Sequence, residues 1–397
     1  MIKIEQMIQT SKANCVGCYG CYNICPQRAI TMKEDTEGFV YPAIQEEKCI
    51  KCEACSHVCP VLNPVNTQND GEPETYAAIN EDWTVRQESS SGGIFQLIAE
   101  SILRQGGVVF GAGFDNTWEV VHQAAQNTSE LAKLRTSKYV QSRIEDTYSN
   151  VKKILESGRQ ALFVGTPCQC IALKQYLNKE YSNLTLVDFI CHGVPSPAVW
   201  RKYRTWRTCG KEIERISFRN KNLSWERYLL VFLIKNTNKY LAKDLEHDLY
   251  LRGFLQNIYL RPSCHQCKFC RKHRFTDLTL ADFWGVQEEL PEMYDGKGTS
   301  LVFIHSDKGR NIFKSLKAKK KKTTFAKAIK YNPSMVQPAI PSPNREKFFQ
   351  AFAAGNIPIN ELIYKNLQKP SIKQRIKGGL RRVPGVVWAY NALRGKR

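Results

Sequence analysis

The sequence lacks any uninterrupted apolar run of the roughly 18–20 residues that a membrane-spanning helix needs. Its start, MIKIEQMIQTSKANC, has no apolar segment of signal-peptide length. There is no Gly-x-Gly-x-x-Gly fingerprint, so direct nicotinamide-dinucleotide binding of the Rossmann kind is not supported. Acidic residues are scarce in one place only: from Lys308 onward Glu346 and Glu361 face 22 Lys and Arg, while the first 307 residues hold 36 basic and 35 acidic side chains. The net charge of +21 is therefore a property of the C-terminal quarter. A nucleic-acid reader places its charge around the reading element; here the charge is segregated, so no nucleic-acid partner is expected. With 42% apolar and 24% charged residues the 397-residue chain is globular in composition and long enough for two or three cores. A cytoplasmic location is expected.

Cysteine is abundant. Fifteen in a reducing compartment do not form a disulfide framework, and their clustering with two-residue gaps points to metal. Eight lie in an internal repeat: Cys15, Cys18, Cys21 and Cys25-Pro26 recur as Cys49, Cys52, Cys55 and Cys59-Pro60, each Cys-x2-Cys-x2-Cys-x3-Cys-Pro. The tight triplet supplies three thiolates to one 4Fe–4S cube and the cysteine before proline serves the other cube. The crossed pattern assigns Cys15, Cys18, Cys21 and Cys59 to one cluster and Cys49, Cys52, Cys55 and Cys25 to the second. Zinc sites use Cys-x2-4-Cys pairs rather than triplets with a Cys-Pro partner. Residues 13–62 resemble the bacterial two-cluster ferredoxins.

After a polar linker at 64–74 the pattern becomes α/β. Strands are expected at 76–79, 108–111, 119–122, 161–164, 184–190, 229–234 and 278–283, with helices over 94–103 and 146–155. Binding loops in such a fold lie at strand C-termini. Two stand out: Gly165-Thr166-Pro167-Cys168-Gln169 and Cys191-His192-Gly193-Val194-Pro195. A third cysteine group, Cys264, Cys267 and Cys270, supplies three ligands without a following Cys-Pro. It fits a third 4Fe–4S cluster or a zinc ion, since a triplet alone does not choose the metal. Cys191 is the first candidate for the fourth ligand and Cys168 the second. Cys170 and Cys209, on expected helices, read as buried small apolar groups.

Taken in order, Ser89-Ser90-Ser91-Gly92-Gly93-Ile94-Phe95, Ser137-Lys138-Tyr139-Val140-Gln141-Ser142, the two loops above, the Cys264 triplet and Ala281-Asp282-Phe283-Trp284-Gly285 resemble the coenzyme F420 hydrogenase/dehydrogenase β-subunit family, fused here to a ferredoxin module. The resemblance covers about residues 75–305. It implies a flavin, usually FAD with FMN as the alternative, beside a 4Fe–4S cluster. It also implies electron exchange with a two-electron acceptor such as a deazaflavin coenzyme. Similar proteins with this ferredoxin arrangement sit in bacterial surface-polysaccharide gene sets. The residues agree with a flavin. Ser91, Gly92 and Gly93 at a helix start suit a phosphate, though an ordinary N-cap would look the same. Gly165, Thr166, Pro167 and Cys168 sit where a cofactor loop belongs. Lys138 would neutralise a pyrophosphate or reduced flavin, Asp282 and Trp284 would line the pocket, and His192 would move protons; Lys138 and His192 are the catalytic candidates.

The expected architecture is mixed α+β and α/β: a small ferredoxin-like domain (1–63), a linker (64–74), a flavin and iron–sulfur domain (75–307) and a basic helical tail (308–397). The expected function is that of an iron–sulfur flavoprotein oxidoreductase. A one-electron donor, such as a ferredoxin or redox enzyme, would feed the clusters, and the flavin would reduce or oxidise an organic substrate. The alternative is an electron-transfer subunit without a substrate site of its own. Lys319 to Lys322 reads as a solvated charge run. In the tail, Ile372, Ile376, Leu380 and Val383 oppose Lys373, Arg375, Lys377, Arg381 and Arg382, with Trp388 beyond Pro384, a pattern suited to an anionic membrane surface.

Overall fold

The computed structural model describes residues 3–65 and 71–368. The tail pattern between Ile372 and Trp388 lies outside the described residues, as does part of the linker. Thirteen strands occur among them: β1 (Ile30–Glu34), β2 (Val40–Ile44), β3 (Glu74–Asn80), β4 (Val108–Phe114), β5 (Val120–Ala125), β6 (Ala161–Gly165), β7 (Leu184–Phe189), β8 (Ile213–Asn220), β9 (Leu229–Ile234), β10 (Lys239–Asp244), β11 (Leu278–Asp282), β12 (Ser300–Ile304) and β13 (Ala318–Thr323).

The body is an eight-stranded sheet in the order β13-β3-β12-β11-β7-β6-β4-β5. β11, β7, β6 and β4 run parallel at its centre, and the flanking strands pair antiparallel. The central strands read Leu-Thr-Leu-Val-Asp-Phe and Ala-Leu-Phe-Val-Gly, the near-continuous apolar runs of strands covered on both faces. Helices Ile94–Leu103 and Asp307–Ser315 cover one face. Helices Thr147–Glu156 and Pro167–Leu177 cover the other, and Cys18 and Tyr19 of the ferredoxin unit pack into that second core. The carboxyl ends of β6, β7 and β11 deliver Thr166, Cys191 and Asp282 to one edge of the sheet.

The ferredoxin unit holds the hairpin β1–β2 and two short helices, Gly20–Ile24 and Ala54–His57. A separate antiparallel sheet, β10-β9-β8, packs Phe218 and Phe232 against Trp200 and Tyr250. Up to residue 368 the basic C-terminal region is part of the body. Lys319 to Lys322 lie in edge strand β13, paired with β3; Lys319, Lys321 and Lys322 are exposed on it, so the solvated charge run is also a strand. Lysines on an edge strand block further strand addition. Arg345 pairs with Glu37 and Phe349 packs on Phe39, so the helix Arg345–Ala354 clasps the ferredoxin unit. Cys170 is buried as expected, whereas Cys209 is exposed; it caps the helix Pro197–Thr208 in a left-handed conformation at φ 51°.

Candidate iron–sulfur centres

The two halves of the cysteine repeat share one backbone device. Gly17 and Tyr19 bracket Cys18 at φ 65° and 63°; Lys51 and Glu53 bracket Cys52, both at φ 56°. Non-glycine residues in this region cost of order 1–3 kcal/mol each. The repeated departure bends each loop so that its three thiols face inward. The result is two cavities of nearly equal size. One, about 340 Å³ with its open mouth included, is lined by Cys15, Cys18, Cys21 and Cys59, and the other, about 350 Å³ on the same basis, by Cys25, Cys49, Cys52 and Cys55. The cysteine before proline does cross to the other repeat's cavity.

The two cavities differ in depth. Cys15, Cys18, Cys21 and Cys59 are all buried, whereas Cys52 is exposed. Burial, aided by neighbouring thiols, pushes Cys18 and Cys21 well above the ordinary thiol range. A ring of buried neutral thiols suits a group that brings its own positive charge and displaces their protons. Among the described residues no group of three or more His, Cys, Asp or Glu is set to hold a single metal ion. Each set of four thiols rings one cavity. The 4Fe–4S core fits this donor set, and amide bonds such as Ala29 N–H to Cys25 Sγ at 3.2 Å would tune it.

A third cavity, about 610 Å³ with its open mouth included, gathers five cysteines: Cys168, Cys191, Cys264, Cys267 and Cys270. Cys191 follows β7 and Cys168 sits in the first turn of the helix after β6; Cys264 rides a 3₁₀ turn, Pro262–Gln266. Both fourth-ligand candidates therefore reach the triplet. Cys168 accepts or donates one hydrogen bond with Thr166 Oγ1 at 3.1 Å. Gly193, at φ 135°, lets the chain turn past Leu260, and Val194 N–H then donates to Cys264 Sγ at 3.4 Å. Cys270 hydrogen-bonds Cys267 and holds its thiol below the usual range. His192 lines the same cavity but its Nε2–H donates to Asn257 Oδ1 at 2.6 Å, and Ser334 stands 3.5 Å from Nδ1. Burial lowers its pKa, so the ring is neutral and fixed in one tautomer.

The three cavities stand in series. Cys21 of the inner ferredoxin site and Cys55 of the outer one belong to one apolar cluster with Ile4 and Ile30. Val16 lines both the inner ferredoxin cavity and the third.

The residues expected at a flavin divide into two groups along the sheet edge. Gly165 ends β6, and Thr166, Pro167, Cys168 and His192 lie at the third cavity. Ser91, Gly92, Gly93 and Asp282 lie farther along, near a residue that the sequence did not flag, Arg219. It is buried and donates to Asp282 Oδ1 and Ser90 O, both at 3.1 Å, and to Tyr139 OH. Its Nε is buried without a partner among the described residues. Trp225 donates to the same Asp282 and stacks on Trp284 at 4.8 Å. Two details run against the phosphate reading of the glycine loop. Gly92 N–H is taken by Ser300 Oγ at 3.0 Å, and a Cβ there would meet Ala78 O at 2.5 Å, so this glycine serves loop-to-strand packing. Lys138 Nζ donates to the carbonyls of Lys133 and Arg135, closing the end of the helix Thr128–Leu134.

Cysteine-ringed cavities in series beside a mixed sheet covered on both faces have the donor sets of an iron–sulfur protein. Residues 158–328 match the family defined by the C-terminal part of the coenzyme F420 hydrogenase/dehydrogenase beta subunit, and residues 14–63 match the 4Fe–4S dicluster domain. The match to the β-subunit family covers somewhat less than half of the chain, and the dicluster ferredoxin match lies at its N-terminus. Similar proteins include a subunit of the F(420)H(2) dehydrogenase of Methanosarcina mazei, 22% identical over 195 residues, 47% of this chain and 54% of that one. An uncharacterized polyferredoxin-like protein of Methanocaldococcus jannaschii is 36% identical over 72 residues, 15% of this chain and 43% of its own length. The chain thus spans about half the length of these curated relatives. A chain of the F420-reducing NiFe hydrogenase complex from Methanosarcina barkeri superposes at a TM-score of 0.44 with 14% identity, covering 78% of this chain and 97% of that one.

Proposed function

We propose that the protein relays single electrons from a donor at its surface through three 4Fe–4S clusters to a flavin, which exchanges an electron pair with an organic substrate or a deazaflavin-type coenzyme. The observation that carries this reading is the series of three cysteine-ringed cavities, from the outer site with exposed Cys52 to the third site at the sheet edge. A ferredoxin or redox enzyme would dock at the outer site. Cys191, Cys264, Cys267 and Cys270 would hold the third cluster, with Cys168 beside it. The units 1–63 and 75–307 would be the ferredoxin and flavin domains.

A flavin bound at that edge would convert electrons arriving singly into a two-electron exchange. Arg219, with its free Nε, would face the flavin's anionic portion, and Trp225 and Trp284 would wall the pocket. His192, neutral and fixed, would position the Cys191 loop rather than shuttle protons. The flavin, FAD or FMN, rests on the family resemblance and on Arg219; a role in surface-polysaccharide biosynthesis rests on resemblance alone. The tail beyond Lys369 would attach the enzyme to anionic lipid. Among the described residues no helix is long and apolar enough to cross a membrane.

Two relatives favour a second reading. The F(420)H(2) dehydrogenase protein of Methanosarcina mazei and the polyferredoxin-like protein of aliphatic sulfonate oxidoreductase in Pyrococcus furiosus are both named as subunits, so this chain would feed a partner enzyme. One experiment separates the readings: anaerobic reduction of the purified protein with a one-electron donor. The relay predicts bound flavin that is reduced in the native chain and stays oxidised in Cys270→Ser, while the ferredoxin clusters are reduced in both. A chain that binds no added flavin supports the second reading.

A further inference from the structure

Arg261 closes the fully buried run Ile258-Tyr259-Leu260 and is itself 0% exposed. A charge at that depth requires a counter-charge. Each nitrogen of its guanidinium has a partner: Nε donates to Cys15 O at 2.9 Å, Nη1 to Gln141 Oε1 at 2.9 Å and Nη2 to Val40 O at 3.0 Å. Nη2 also stands 3.7 Å from Cys15 Sγ, and the plane lies 4.3 Å over the Tyr41 ring. None of these partners is a carboxylate. The other buried arginines among the described residues differ, since Arg274 is paired with Asp188 at 3.0 Å, Arg219 with Asp282 at 3.1 Å and Arg86 with Asp295 at 2.6 Å. Besides the Tyr41 hydroxyl, the ionisable groups that Arg261 faces are thiols: Cys15 of the inner ferredoxin cavity, and Cys264 of the third, whose backbone N–H donates to Arg261 O at 2.9 Å. The Cys15–Cys18 loop is moulded on it: a Cβ at Gly17 would lie 2.7 Å from both Arg261 Nη1 and Gln141 Nε2. Gln141 Nε2 in turn donates to Val16 O, and Val16 lines both cavities.

We infer that Arg261 is a positioning residue for electrons: a buried cation between the inner ferredoxin cluster and the third cluster, raising the reduction potential of both relative to the outer cluster. This rests on the three-cluster reading above. Each cluster gains one negative charge when an electron from the donor enters it, and the uncompensated guanidinium favours that state. Electrons arriving at the exposed site are thereby drawn inward.

The test is an anaerobic redox titration of the full chain followed by electron paramagnetic resonance, with the outer cluster as internal reference and iron content measured on the same samples. In Arg261→Gln, at the poise where each native cluster, inner and third, is half reduced, its reduced-to-oxidised ratio should fall at least tenfold, equivalent to 59 mV for one electron. The outer cluster should not move. Arg261→Lys, which keeps the charge, should restore most of the ratio. Gln141→Glu places a carboxylate against Nη1 and should shift the same clusters in the same direction. Gln141→Met, which loses the same bond to Val16 without adding charge, should not. If Arg261→Gln is short of inner iron, Gln141→Glu against Gln141→Met decides. Unchanged potentials in iron-complete Arg261→Gln, or in Gln141→Glu, overturn the inference. A native chain with about eight irons would instead sink the three-cluster reading itself.

Discussion

Replacing Gly193 by alanine tests how tightly the third cavity is built. The residue sits at φ 135°, where a side chain costs of order 1–3 kcal/mol. The added Cβ would stand 2.8 Å from Leu260 Cδ1 and 3.3 Å from Cys264 Cβ, against an ordinary carbon contact of about 3.5–4.0 Å. Leu260 is 0% exposed and has nowhere to swing, so the overlap adds about 1–3 kcal/mol. The combined cost of roughly 2–6 kcal/mol is comparable with a domain's net stability of about 5–15 kcal/mol. The cheapest relief is local: the loop from Cys191 to Val194 moves and draws Cys191 and the Val194 bond away from Cys264. Gly158→Ala is the control, because it shares a positive φ of 79° but has nothing within 4 Å of its would-be Cβ. Iron content after anaerobic reconstitution should fall from about 12 toward about eight per chain in Gly193→Ala and stay at the native level in Gly158→Ala. Native iron and a native urea midpoint in Gly193→Ala would refute the packing argument.

Cys191→Ser should lose about four irons while Cys209→Ser, altering an exposed helix cap, keeps them all; full iron in Cys191→Ser would promote Cys168 to ligand. Asp188→Asn leaves the buried Arg274 without its counter-charge, and urea unfolding should show a loss of about 3–5 kcal/mol. His122 and His305 are held by burial at about 4 and about 3, below the ordinary histidine value. The unfolded chain therefore takes up protons that the folded chain refuses. Stability is complete above pH of about 6.5 and falls as pH drops toward 4, by about 1.4 kcal/mol per pH unit for each ring. Urea midpoints between pH 7 and 5 should show a shallower slope in His305→Asn; an unchanged slope would contradict the assignment.

The grouping of the eight ferredoxin-type cysteines around two cavities was legible because their spacing encodes the geometry: a Cys-x2-Cys-x2-Cys loop can close on one centre only if its remaining cysteine goes elsewhere. The central strands were legible for a similar reason, since near-continuous apolar runs at 161–164 and 184–190, the second broken only by Thr185 and Asp188, suit strands covered on both faces. β13 was not, because four lysines in a row carry no apolar alternation; its pairing with β3 comes from edge position rather than side-chain pattern. Arg219 and Arg261 were missed because an arginine's depth is a tertiary property. The one local sign for Arg261 was a charge directly after the apolar run Ile258-Tyr259-Leu260. The Ser91-Gly92-Gly93 loop looked like a phosphate cradle because sequence cannot show that Ser300 already occupies the Gly92 amide. Nor can sequence show that Lys138 Nζ is hydrogen-bonded to the end of its neighbouring helix.

Three iron–sulfur centres in one chain underlie every step of the proposed relay, and metal analysis tests them directly. Full-length protein, reconstituted and desalted under anaerobic conditions, should contain about 12 irons and as many acid-labile sulfides per chain, with no stoichiometric zinc. About eight irons with one zinc would contradict the relay, leaving the two ferredoxin sites in place and the five-cysteine cavity a structural metal site.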